Sequence, residues 1–310
     1  MSSLNGLLPF AVGFLTMMAL GYSYLQAFFV GIVFISSSVS VIASSIDSLK
    51  LLGTRLGITS VGSAVLQDIL SLIVLSVLLQ IISPSFDIPW WVMYGIIIAV
   101  VLALYYLVPK LRNLMTFLSK GVNVFQNDVR FVIAILFGVV LIFEFFGLHD
   151  IIAGFFAGLL VADATSNQLI REKIRTIGYS FFIPIFFILV GMNTDLQVLF
   201  NGFDTILVFI GLFLASVGSK IVSGFWASRI LGFKNKEGLV MGIATISQLF
   251  TTLAVVFTGS KLEIIPPEVA SSLVVLAIIM TFVAPTLVGI FGSKLALSER
   301  NKSLPLDQII

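Results

Sequence analysis

The chain has 310 residues, of which 59% are hydrophobic and 10% charged, and a mean hydropathy of +1.15. Soluble domains carry about 25% charged residues, so this composition excludes a soluble protein and describes a polytopic membrane one. There is no cysteine and a single histidine, His149, which excludes disulfides, thiolate chemistry and a multi-histidine metal site; the net charge of +2 says little about partners, and no nucleic-acid partner is expected.

Hydrophobic runs and their breaks predict an all-α membrane fold of ten spanning segments: 7–22, 25–46, 57–82, 89–109, 130–147, 149–163, 180–195, 204–231, 237–260 and 268–292. Fifteen of the seventeen Lys and Arg residues follow the even-numbered segments; Lys261 alone lies on the other side, and Lys220 falls inside a segment. Basic residues concentrate in short cytoplasmic loops, so both termini are expected in the cytoplasm, with the plasma (inner) membrane as the location. The first segment has neither a preceding basic residue nor a small-residue cleavage site, and is not read as a signal peptide. Residues 110–129 and 164–178 mix basic and apolar types and are read as interfacial connectors. Trp90 and Trp91, after Pro89, fit an external aromatic belt, and 293–310 is a short polar tail.

The second segment contains ISSSVSVIASS at 35–45, with serines at 36, 37, 38 and 40. Small residues there serve close helix packing, or a locally unwound helix whose carbonyls and hydroxyls coordinate a cation. In the third segment Asp68 is the only charge in the 27 positions of 56–82. A mid-span carboxylate is costly, so it faces a partner or a wet cavity. It is read as a cation or proton site, against the plainer alternative of a protonated Asp hydrogen-bonded between helices.

In the eighth segment Lys220 lies about halfway along LFLASVGSKIVSGFWASRIL, 212–231, too deep to snorkel. Asp68 and Lys220 are the only charges near mid-depth, since Glu144 is near its segment's outer end, so the two are expected to pair and to compete. The ninth segment carries GIATISQLFTTLAVV, 242–256, with Thr245, Ser247, Gln248, Thr251 and Thr252 at mid-span. Segments one to three and eight to ten start from opposite sides, and each triplet has its polar interruption in the middle member. That is the pattern of an inverted-repeat transporter with two discontinuous helices.

On these motifs the chain resembles the monovalent cation:proton antiporter superfamily, in the branch with sodium/proton exchangers and potassium-efflux systems. Residues 52–75 resemble the family's segment ending in an acidic, Asn–Asp or Gln–Asp pair, here Gln67–Asp68. LGLHDIIAGFFAGLLVAD resembles its glycine-spaced helix, and FFIPIFFILVGMNTDL at 181–196 its proline-containing FFxxVGM segment. Ser37 and Ser38 fall at the family's first helix break, and Lys220 at a basic position before its second. By resemblance the membrane transport domain spans 1–292, with an ion-binding core at 7–82 and 204–292 and a scaffold at 89–195. Relatives usually begin with about three further helices, so Met1 is read as an internal start or the edge of a fragment, and homodimerisation as compromised. A nucleotide-binding regulatory domain found in some relatives has no counterpart here.

The resemblance implies a secondary antiporter that exchanges Na+ or K+ for H+ in the lipid bilayer, without a cofactor. Asp68 would bind proton and cation in turn, with Gln67, Ser37 and Ser38 beside it, Lys220 compensating charge, and Thr245, Ser247 and Gln248 at the second break. Gln67 cannot titrate and is not expected to pair with Lys220, so exchange is expected to be one proton for one cation. The alternatives are a channel-like K+ efflux system or a truncated protein that no longer transports. An enzyme is not expected: an intramembrane aspartyl protease needs two mid-membrane Asp residues, and a serine protease needs a His within a span.

Overall fold

A computed structural model of the chain describes residues 1–82, 124–145, 168–200 and 202–303, with isolated positions between 92 and 110 and between 153 and 158. The expected segments 89–109 and 149–163 as continuous elements, Trp90, Trp91, His149, the side chain of Glu144 and most of the 110–129 connector lie outside the described residues. Every described element is helical. Among the described residues, six stretches are long and apolar enough to cross a membrane: Ser2–Ala19, Tyr24–Ser48, Arg55–Ile82, Arg171–Met192, Phe203–Ile230 and Pro267–Ser293.

The chain divides into two compact units, one of Met1–Leu72 with Met192–Ile310 and the other of Ile73–Gly191. In the first unit, α1 (Ser2–Ala19) turns through Gly21, at φ +85°, into α2 (Tyr24–Ile35). The left-handed backbone at that turn suits glycine. Ser23 opens α2 with a capping box, bonded reciprocally with Gln26. The two helices interlock by seating aromatic rings on glycines: a Cβ at Gly13 would come within 2.7 Å of the Phe34 ring, and one at Gly31 within 2.9 Å of the Phe10 ring. Such close approach is how helices gain contact where lipid removes the hydrophobic drive.

The second segment is not one helix. α2 ends at Ile35, Ser36 and Ser38 are extended, and α3 (Val39–Ser48) resumes. α4 (Arg55–Ile82) follows, and the division between units falls within it. The ninth segment is also interrupted: α9 (Asn235–Ala244) stops, and α10 (Phe250–Lys261) begins after Thr245–Leu249. Neither half alone is long enough to span, which takes about 20 residues.

α8 (Phe203–Ile230) and α9 pack through glycines, with a Cβ on Gly224 falling 2.6 Å from Gly242 Cα. At the far end of these helices Arg55 donates to Leu231 O (2.7 Å) and stacks over Phe233 at 4.6 Å. Tyr22 donates to Glu268 (3.3 Å) and Ser271 to Asp195 O (2.9 Å) at the opposite end. α11 (Pro267–Ser303) closes the unit, running as helix past 292 into what the sequence suggested was a polar tail.

In the second unit, Val132 on α5 (Val124–Phe145) packs with Ile174 on α6 (Gln168–Ile177). The 164–178 connector was expected to be a separate interfacial element. Its helix instead runs through a π turn, Gly178–Phe182, into α7 (Ile183–Met192). Pro184 supplies the reason: it has no N–H, and its ring crowds the carbonyl four residues back, that of Ser180. A wider turn relieves both faults without ending the helix.

Candidate functional site

The two interruptions touch. Ser38 N–H donates to Ser247 O at 2.7 Å, joining one unwound segment to the other. The Ser37 hydroxyl lies 2.9 Å from both Thr245 O and Gln67 Oε1, and its single proton serves either. Breaking a helix leaves its last carbonyls and its next amides without intrahelical partners. Here each break supplies what the other lacks.

Lys220 reaches this crossing from α8 and is fully buried. Its ammonium donates to Ile35 O (2.8 Å), Ser37 Oγ (2.8 Å) and Gln67 Oε1 (3.1 Å), using all three of its protons. Ile35 is the last residue of α2, so the positive charge sits at the negative end of a helix dipole. The Gln67 amide is held from its other side, with Nε2 donating to Ser63 Oγ at 2.9 Å.

Asp68 is half-buried, one residue along α4 from Gln67. Ser36 Oγ donates to its Oδ1 at 3.0 Å, and the Ser37 amide and Thr251 hydroxyl also face the carboxylate. Ser36 caps the end of α2 and Ser37 follows it in the break, while Thr251 lies in the first turn of α10, where the helix dipole is positive. The carboxylate thus faces the positive start of α10, and the ammonium the negative end of α2.

Two expectations change on this geometry. None of the three bonds of Lys220 goes to Asp68, although the field of Asp68 reaches the ammonium. Gln67, not expected to pair with the ammonium, is one of its acceptors. An amide oxygen is a good acceptor for a buried ammonium, and three neutral oxygens satisfy Lys220 without a contact ion pair.

The second break contributes backbone more than side chains. The Thr245 hydroxyl turns back to Gly242 O (2.8 Å) and that of Ser247 to Ala244 O (3.0 Å). Gln248 Nε2 donates to Ser216 on α8 at 3.3 Å. The Ser38 hydroxyl lies 3.5 Å from that of Ser40, so its link to the crossing is through the amide. Ser36 and Thr251, the hydroxyls that do face Asp68, stand in the polar runs already noted. Only the azimuth of each side chain about its broken helix separates them from their neighbours.

Residues 1–294 match the sequence profile of the family described as sodium/hydrogen exchanger, transmembrane. The chain belongs to the sodium/hydrogen exchanger family. It is therefore a multi-pass membrane protein of a transporter family, not an enzyme family. It is 29% identical to the "Probable Na(+)/H(+) antiporter 3" of Methanocaldococcus jannaschii over 91% of this chain and 72% of that protein. It is 25% identical to the Na(+)/H(+) antiporter of Enterococcus hirae, over 93% of this chain and 75% of the relative. The match to the Na(+)/H(+)-K(+) antiporter GerN of Bacillus cereus is also 25% identical, over 93% and 74% of the two chains. As a sodium/hydrogen exchanger family member, the chain places its mid-span Gln67–Asp68 pair where two broken helices meet.

Proposed function

We propose that the protein is a secondary antiporter that exchanges a monovalent cation, Na+ or K+, for H+, with Asp68 holding proton and cation in turn. The observation that carries this reading is the carboxylate of Asp68 at a crossing of two interrupted helices. Among the described residues it is the only acid at this crossing, and its neighbours there are hydroxyls and a backbone amide. One carboxylate with hydroxyl and carbonyl oxygens is a hard donor set, suited to a weakly hydrated or partly dehydrated monovalent cation. A single carboxylate holds one positive species at a time, and that exclusion couples the two fluxes.

The protein would span the membrane ten times with both termini in the cytoplasm, and segments one to three and eight to ten would form an inverted-repeat core. The core is assigned to 7–82 and 204–292 and the scaffold to 89–195. Supporting this, every residue of the crossing falls in the unit of Met1–Leu72 with Met192–Ile310. Core and scaffold would move against each other to alternate access, in the plasma membrane. Relatives named for Na+ exchange and one named for both Na+ and K+ make both ions test substrates. The test is proton flux in proteoliposomes on adding Na+, Li+ or K+ separately. Proton movement out of the bound site on addition of Na+ or K+ is expected; flux without proton movement would point to a channel and overturn the proposal.

A further inference from the structure

Asn5 is a polar residue in an otherwise apolar stretch of α1, and nothing above gives it a role. Its side chain is completely buried. Its Oδ1 accepts a 2.6 Å hydrogen bond from Ser223 Oγ on α8. Among the described residues this is the only side-chain hydrogen bond between α1 and α8. Ser223 lies one turn from Lys220, and its hydroxyl is also 3.2 Å from Lys220 O.

Asn5 is level with the crossing. A Cβ on the adjacent Gly6 would lie 3.4 Å from Ile35 and 3.9 Å from Gln67 Cγ, and these two residues both supply acceptors to Lys220. Asn5 Nδ2 is buried without a hydrogen-bond partner in the protein. A buried amide left half-satisfied is costly, so an apolar side chain would pack α1 better. The cost is explained if the Oδ1–Ser223 bond has a purpose other than packing.

We propose that Asn5 is a positioning residue for Lys220: through Ser223 it fixes the rotation and height of α8 that bring the ammonium onto Ile35 O, Ser37 Oγ and Gln67 Oε1. The geometry of those three bonds tolerates little sliding, because hydrogen bonds weaken steeply off their preferred distance and angle. Gly224 against Gly242 sets α8 on one side; Asn5 against Ser223 sets it on the other. Among the described residues Asp68 is the one charged group whose field reaches the ammonium, so a displaced Lys220 alters the balance of proton and cation at Asp68.

This inference rests on the exchange reading above, and its test separates the two. Asn5→Leu keeps size and removes the acceptor; Ser223→Ala removes the donor. Each is expected to move the pH of half-maximal exchange by about one unit in the direction given by Lys220→Gln. The double variant should move it no further than either single one. Variants that lower the melting temperature but leave the pH profile in place would make Asn5 a packing residue and overturn the proposal. If the wild-type protein exchanges nothing, the exchange reading fails, and melting temperatures of Asn5→Leu, Lys220→Gln and their combination decide the positioning role. Non-additive losses support it, and additive losses overturn it.

Discussion

Lys220 brings three donors to three oxygens, and each of those oxygens belongs to a different structural group: a helix end, a serine in the break and an amide on α4. Replacing it with Met would leave these acceptors without the ammonium. An orphaned buried acceptor costs about 1–3 kcal/mol, partly offset because no charge is buried any longer. Lys220→Met is expected to lower the melting temperature measurably, and an unchanged one would place the side chain elsewhere. Lys220→Gln removes a positive charge near Asp68. A proton is then harder to displace from the carboxylate, so half-maximal exchange should move to higher pH; an unmoved profile would contradict this. The importance of both residues was legible in the sequence, because each is a lone charge deep in an apolar run. Their partners were not. Spacing gives depth along a helix, but not which hydroxyl of a broken segment turns inward, and so Thr251 and Ser36 emerged only from the structure.

At the scale of elements, the breaks were readable because polar residues interrupt two otherwise apolar spans, and both fall where helices stop, at Ser36–Ser38 and Thr245–Leu249. That the breaks flank Asp68 was expected from the paired interruptions; the bonds that join them were not readable, since they depend on how the surrounding helices approach. Glycines set that approach. A Cβ on Gly242 would lie 2.6 Å from Ile221 O, a backbone atom that cannot swing aside. Gly242→Ala should therefore separate the two helices at a cost of about 1–3 kcal/mol and reduce exchange. Gly62→Ala, with nothing within 4 Å of the added methyl, is the matched control and should leave melting unchanged or slightly raised. Equal behaviour of the two variants would show that the glycine contact does not hold the crossing. The continuity of α6 with α7 was missed for a related reason. The charged stretch at 164–178 read as a connector apart from the span at 180–195, whereas a π turn carries the helix through.

For the molecule as a whole, charge placement and hydropathy gave the membrane class and a single mid-depth acid, and the family match agrees with that class. On the proposed function, one titratable carboxylate at the site would give one proton for one cation. Lys220 strengthens the argument, because its neutral acceptors give it partners that stay in place whichever ion Asp68 holds. Exchange in liposomes should then be insensitive to an imposed membrane potential at a fixed pH gradient, and a rate that follows the potential would mean more than one proton per cation.

The central claim is that Asp68 carries both ions, and Asp68→Asn tests it most directly. The variant keeps the side chain's shape and removes its charge, and in proteoliposomes it should be inserted normally yet show no proton movement on addition of Na+, Li+ or K+. Exchange retained by Asp68→Asn at the wild-type rate would contradict the account.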